Sequence, residues 1–331
     1  MTPILYSAAE TAFTSNGLGR LTDTIEALVT EERNGLYELE LRYPVNGRHY
    51  AEIQEGCYIG CVHDDDGDIQ PFEVYRRSAV INGTVTFFCR HISYKLSNVI
   101  LDPFTASSVS GALSNFTSKA INTNNFTFWT DKTTAAAFKL SAPASVRAVM
   151  GGVEGSILDV YGGEWDYDKF TVKLYAHRGT ASGVSIRYGK NLTDLTQVLD
   201  ASEIHNAVVP YWLQEDDSGT TLVTLPEKII KAAGVSTPRP IALDLTLEFD
   251  SKPTVAQLRS KAQEYLTDAS IQAPTENITV DFVQLWQTTE FENIANLQRV
   301  RLCDTVDVIY PALGLTRSGV KVIKVVYDVL A

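Results

Sequence analysis

The chain has 331 residues, of which 44% are hydrophobic and 21% charged. That balance supports a sizeable buried core and excludes bulk disorder. Against 28 Lys and Arg stand 40 Asp and Glu, a net charge of −12. So acidic a chain is no general nucleic-acid binder, because phosphate contacts need a basic face. Length alone suggests two domains or three.

Residues 1–97 read as a first β-barrel. Ile25 to Glu32 and Leu36 to Tyr43 are separated by Arg33-Asn34-Gly35. Asn-Gly is the strongest short hairpin signal, since its turn needs positive φ at the centre. Tyr37, Leu39 and Leu41 alternate with Glu38 and Glu40, which predicts one buried face. Gly56 to Val62 and Phe72 to Arg77 flank the polar turn His63 to Asp68, and Asn82-Gly83 leads into Val85 to Arg90. Short strands punctuated this often mean a barrel or a sandwich.

A boundary is expected near 98–104, at Asp102-Pro103, and residues 98–190 read as a smaller α+β domain. Its first half is nearly uncharged and rich in Ser, Thr, Asn and Ala. Ser145 is placed to cap a short helix ending at Gly151-Gly152. A second helix, Val153 to Tyr161, should stop at Gly162-Gly163, where a left-handed residue is needed. A hairpin follows, Glu164 to Tyr167 and Phe170 to His177, turning at Asp168-Lys169.

Residues 191–331 read as a second β-barrel. Ala207 to Gln214 and Thr220 to Leu225 form a hairpin, and Pro240 to Phe249 a long strand with Ile241, Leu243, Leu245 and Leu247 on one face. One helix, near 254–268, interrupts: Thr254 and Gln257 make a capping box, and Val255, Leu258, Ala262, Tyr265 and Leu266 recur at helical spacing. Ile278 to Phe282, Val300 to Leu302, Val306 to Tyr310 and Val320 to Val329 are the last strands expected. The fold class is therefore mainly β, two barrels with an α+β insert between them.

Candidate chemistry is sparse. Cys57, Cys61, His63, Cys89 and His91 are soft ligands within a short span. Their spacing matches no zinc loop, and even offsets along a strand spread them out, so the cysteines read as small core residues in a reducing compartment. The loop Asp64-Asp65-Asp66-Gly67-Asp68 fails the calcium-loop pattern, since its glycine falls at the wrong position. Glu164, Asp166 and Asp168 share a strand face, as a glycosidase pair would, but so does the polar face of any hairpin. Trp129, Trp165 and Trp212 suit either a sugar site or a core. The histidines His49, His63, His91, His177 and His205 sit in no catalytic context, and hydrolase and phosphate-loop motifs are absent. No catalytic residue, metal ligand or cofactor site is assigned.

Met1 to Glu10 has no basic, apolar leader pattern, and the most apolar stretch, Ala207 to Leu213, falls short of the ~20 residues that span a bilayer. The expectation is a soluble protein made in the cytoplasm. Sequons at Asn82, Asn115, Asn125, Asn191 and Asn277 are then simply turn and strand residues.

The run from Met150 through Gly162-Gly163-Glu164-Trp165 to Phe170, then Leu174 and Arg178-Gly179, resembles the N-terminal region of phage minor structural proteins. These are tail-associated proteins of long-tailed phages and prophages, also called prophage tail endopeptidase or tail-tip hub proteins. Further stretches fit in order: Glu31 to Leu39, Ile186 to Leu192, and Leu302-Cys303-Asp304-Thr305-Val306 through Tyr310 to Gly314. The resemblance implies a baseplate hub: a homotrimer whose two tail-tube-like barrels per chain meet a hexameric distal tail or tube protein. It also implies a tape-measure partner, tip or fibre proteins, and DNA passing through the channel without specific binding. The place implied is the virion tail tip, assembled in the host cytoplasm. Relatives often continue into a variable part with peptidase, fibre or sugar-binding roles; this chain stops at Tyr327 to Ala331, so no enzyme is expected. The alternatives are a tail-associated cell-wall hydrolase, peptidase or muramidase, and a carbohydrate-binding module.

Overall fold

Alternation of apolar and polar residues builds the first sheet. The computed structural model describes residues 2–62, 68–200, 202, 204–216, 219–249, 251–267, 275–282 and 300–330. They belong to two compact units, a larger one of 1–188 with 284–331 and an inserted one of 189–283. Strands β1 (Ile4–Tyr6), β2 (Gly19–Arg20), β3 (Glu26–Glu32), β4 (Tyr37–Pro44), β5 (Tyr58–Cys61), β6 (Gln70–Arg77) and β7 (Thr84–His91) open the larger unit. Along β4, Tyr37, Leu39, Leu41 and Tyr43 are buried while Glu40 and Arg42 face water. Asn82 and Gly83 both take positive φ, 52° and 75°, as their tight turn requires. At Arg33-Asn34-Gly35 only Asn34 is left-handed, at 58°. The loop is longer there, with Glu32 N–H returning to the Leu36 carbonyl.

The α+β part follows. It contains β8 (Ile100–Leu101), β9 (Phe104–Ala106), α1 (Val109–Ser118), β10 (Thr127–Thr130), β11 (Phe138–Leu140) and β12 (Ala144–Ser145). Then come α2 (Val146–Met150), α3 (Ile157–Tyr161), β13 (Glu164–Asp168) and β14 (Thr171–Tyr175). Ser145 caps α2 as expected, accepting from Ala148 N–H at 3.3 Å. α3 begins later than expected, because Gly155 turns left-handed (φ 75°) and Ser156 supplies the cap. Gly162 and Gly163, both at positive φ, end it. α1 is an element that the sequence hides behind its Ser, Gly and Asn, although Val109, Ala112, Leu113 and Phe116 stand at helical spacing and are buried.

After β15 (Ala181–Arg187) the chain enters the inserted unit: β16 (Leu192–Asp200), β17 (Ala207–Asp216), β18 (Gly219–Thr224), β19 (Ile230–Lys231), β20 (Pro240–Asp244), α4 (Val255–Thr267) and β21 (Thr275–Phe282). β17 pairs with β18, β19 and β20, while β16 and β21 form a separate antiparallel ribbon. α4 starts on the expected capping box, with Gln257 N–H to Thr254 Oγ1 at 3.3 Å and Thr254 N–H to Gln257 Oε1 at 2.9 Å. The long strand from Pro240 stops at Asp244. Its carboxylate takes the Thr246 N–H at 2.8 Å and hydroxyl at 2.5 Å, which bends the chain into a short 3₁₀ turn, Thr246–Glu248.

Back in the larger unit, β22 (Thr305–Tyr310) lies between β15, parallel, and β23 (Leu315–Lys321), antiparallel. The single strand expected at Val320 to Val329 is two, β23 and β24 (Lys324–Asp328), and Val300 to Leu302 is not a strand. β24 pairs with β3. The first sheet thus has eight strands in the order β2-β1-β5-β6-β7-β4-β3-β24, curled as a half-barrel. Val329 joins its core with Leu39, Leu41 and Phe87. So the stretch 191–331, which the sequence presents as one barrel, divides: its end completes the first sheet. A strand pairing across some 300 residues of chain leaves no local trace. Among the described residues no helix is long and apolar enough to cross a membrane.

The two units have separate cores, so their stabilities should be separable. Leu41→Ala should destabilise the larger unit by about 2–5 kcal/mol, and Leu258→Ala, in the core shared with Trp212 and Leu225, should lower only the inserted unit's transition. Scanning calorimetry checks this; one transition moved equally by both changes would contradict it.

Candidate functional site

Three distant parts of the chain, within 31–34, 163–180 and 301–321, meet in the larger unit. Asn34 in the β3–β4 turn presents its amide to β13: Oδ1 accepts from Trp165 N–H at 2.8 Å, and Nδ2 donates to the Gly163 carbonyl at 2.9 Å. The side chain stands in for a strand neighbour. Gly163 is left-handed (φ 114°), and a Cβ there would lie 2.8 Å from the Tyr175 carbonyl oxygen. Only glycine fits.

Glu164, 5% exposed, anchors the junction. Its Oε2 accepts from Arg178 N–H at 2.8 Å; its Oε1 takes the Lys321 ammonium and stands 3.5 Å from Arg33 Nη1. Burial alone would push its pKa up. Lys321, the Arg178 N–H and Arg33 outweigh burial and hold it below the ordinary carboxylate value. Arg178 places Nη1 2.7 Å from Glu31 Oε1 and Nη2 2.9 Å from Asp166 Oδ1. Burial opposes its charge, but these carboxylates outweigh it and raise its pKa.

Next in sequence, Gly179 packs on the approach to β22. A Cβ there would lie 2.0 Å from the Cys303 carbonyl, so no side chain fits without a backbone shift. Asp304 closes the contact: Oδ1 accepts from Thr180 N–H at 2.8 Å and its hydroxyl at 3.2 Å, and Oδ2 accepts from Arg301 N–H at 2.9 Å. Cys303 is left-handed (φ 72°), and its thiol is pushed up to about 12 by burial and the nearby Glu164. The junction therefore clamps chain segments. Its carboxylates are matched by cations or N–H groups, and its thiol is held protonated.

The other sequence candidates are dispersed. Cys57, Cys61 and Cys89 point into the first core, and burial pushes the Cys61 thiol up to about 12. His91 stacks on Tyr37 at 4.3 Å, with Ser93 Oγ and Gln70 Oε1 at its ring nitrogens. Among the described residues no three metal-ligating side chains converge, and residues 63–67, with His63 and most of the acidic loop, lie outside them. Asp166 serves Arg178 and Lys173, and Asp168 accepts from Gln70 Nε2 at 3.2 Å. Trp165 and Trp212 are core residues; Trp129 is 47% exposed, edge-on to Tyr175. Lys321, Arg33 and Asp304 are partners that sequence reasoning misses, because separations of 124 to 157 residues carry no spacing signal.

Glu164 is held below its unfolded pKa, so it stabilises the fold at neutral pH, and that contribution fades as pH falls through its folded value. Glu164→Gln should therefore cost on the order of 3 kcal/mol at pH 7, leaving Lys321 uncompensated. The deficit should shrink on acidification below about pH 4.5. Urea titrations at several pH values check both; a deficit independent of pH would contradict the ion-pair account. Gly179→Ala should destabilise at every pH.

No family model matches the chain, and no curated protein matches it in sequence. In fold it is similar to prophage tail protein gp18 from Listeria monocytogenes EGD-e, with 15% identity, a TM-score of 0.58, and coverage of 98% of this chain and 90% of that one. It is also similar to the 43 kDa tail protein of prophage MuSo2 from Shewanella oneidensis (12% identity, TM-score 0.58, 99% and 94% covered). A tail protein from Neisseria meningitidis MC58 matches comparably (11% identity, TM-score 0.59, 99% and 91% covered). At such identities the likeness is one of fold: the chain has a tail-protein fold from end to end.

Proposed function

We propose that the chain is a structural, non-enzymatic component of a phage or prophage tail, the hub of the tail tip. The observation that carries this reading is the end-to-end fold likeness to three prophage tail proteins, covering at least 98% of this chain. The junction supports it as well. Stretches that resemble tail-tip hub proteins, around Asn34, Glu164, Arg178 and Asp304, meet there through hydrogen bonds, and Arg178 pairs with Glu31 and Asp166 and Arg33 with Glu164. Such pairing suits a structural joint better than an active site, which keeps a titratable group poised.

In this reading three copies close a ring at the virion tail tip, between the hexameric distal tail or tube protein and the host-facing tip. The first sheet, which includes β24, and the other strands beyond 191 supply the two tube-like surfaces per chain that a three-copy ring needs to meet a six-copy one. Tape-measure protein and DNA pass through its channel, and tip or fibre proteins attach below. The net charge of −12 fits a channel that must not hold DNA, provided carboxylates line the wall itself. The screening length at physiological salt is only ~8 Å.

Light scattering of the purified chain with its tail partners should give three times 36.4 kDa for the hub component. Monomer in that mixture would sink the reading, as would release of muropeptides from cell wall that is lost on changing a single carboxylate. In the assembled ring the channel lining should count more Asp and Glu than Lys and Arg; a net-positive lining would refute the channel argument.

A further inference from the structure

A cleft of about 440 Å³ lies apart from the junction, lined by the N-terminal loop, the first sheet and the α+β part of the larger unit. Small-molecule sites run from roughly 300 to 1,000 Å³. The one cation of its lining is already matched. Lys95 stands 3.6 Å from Glu73 Oε1 and 4.9 Å from the Tyr58 ring centre, and Arg90 shares Glu73 at 3.3 Å. Glu10 turns one carboxylate oxygen to the N–H groups of Thr11, Ala12 and Phe13. An anionic ligand finds no unpaired cation in the lining.

The remaining polar lining is amide and hydroxyl. Asn122 and Asn124 hold the loop in shape: Asn122 bridges Ile100 N–H and the Asn98 carbonyl, both at 3.0 Å, and Asn124 accepts from Phe126 N–H at 3.0 Å. Asn98 and Asn125 are exposed at the cleft, and their side-chain amides make no hydrogen bond among the described residues. Each offers a donor and an acceptor side by side, the pattern that pairs with neighbouring hydroxyls. Half-buried Phe170, backed edge to face at 5.3 Å by the core residue Phe126, supplies an apolar wall for the C–H face of a ring. A purely apolar ligand would strand the amides, at a loss of hydrogen bonding to water. An uncharged, polyhydroxylated ring satisfies both parts of the lining.

We propose that this cleft binds a neutral sugar residue, with Asn98 and Asn125 taking its hydroxyls and Phe170, backed by Phe126, its apolar face. The loop is already held, so binding loses little entropy in ordering it. The test is saturation-transfer NMR on the full chain with glucose, galactose and N-acetylglucosamine as probes, and N-acetylneuraminic acid as the anionic comparison. At least one neutral sugar should bind saturably in the millimolar range, with the acid about tenfold weaker or more. The double variant Asn98→Ala, Asn125→Ala should lose about tenfold in affinity while keeping the parent's circular dichroism. Each single variant, measured separately, should also bind more weakly, which keeps the test open should the double one misfold. No saturable binding by any neutral probe, equal binding of the acid, or unchanged affinity in the variants overturns the proposal. None of these outcomes depends on whether the chain assembles into a tail.

Discussion

Arg178 cannot be buried alone. A guanidinium stays charged at any ordinary pH, and taking it out of water is tolerable only where carboxylates meet it. Glu31 and Asp166 do so from two different strands, which ties β3 to β13. Glu164, one residue before Trp165, binds the Arg178 backbone and extends the same network to Lys321 on β23. Such networks return little net stability, since desolvation offsets most of the Coulombic gain. Their effect is on specificity: any other pairing of these segments leaves a buried charge without its partner.

The junction also lies where two hydrophobic cores adjoin. Trp165, Val172 and Leu174 of the β13–β14 hairpin pack into the α+β core, and Tyr167 packs against both cores. Burial pushes the Tyr167 hydroxyl up to about 12, so it stays neutral and adds no charge between the cores. His91 lies in the same region, stacked on Tyr37, with Gln70 bridging it to the turn at Lys169. The hairpin is thereby held by apolar contacts on one side and by directed polar contacts on the other. Packing sets how closely it approaches, and the polar groups set its register.

What is legible in the sequence is local. The Asn82-Gly83 turn, the Ser145 cap, the glycine stop after Tyr161 and the Thr254–Gln257 box each write their structure within a few residues. The strand from Pro240 ends short of its apolar alternation, because the Asp244 side chain diverts the backbone. At the β3–β4 turn Asn-Gly marks the right place but the wrong geometry: Asn34, not Gly35, takes the left-handed conformation. Its position also serves the clamp on β13. The pairing of β24 with β3 and the partners of Glu164 are illegible, because they join residues with no sequence periodicity in common. The resemblance marks the stretches that meet at the junction without saying that they touch.

The inserted unit shows why the clamp matters more than the length it encloses. β15 and β22 are parallel neighbours, which always need a crossover between them, and here the crossover is a unit with its own core. Both strands start at the same place, where Thr180 and Asp304 are bonded to each other and Thr305 N–H returns to the Thr180 carbonyl. Closing a loop over so long a stretch is not much harder than over a short one, since each doubling of length costs only about 0.6 kcal/mol. The closure itself is what must be held, and Asp304 holds it with two hydrogen bonds from Thr180 and steadies its own turn with a third from Arg301 N–H, in a spot where Gly179 leaves no room for a side chain. Beyond this closure the chain runs on through β22 and β23 to β24, and so delivers the first sheet its last strand.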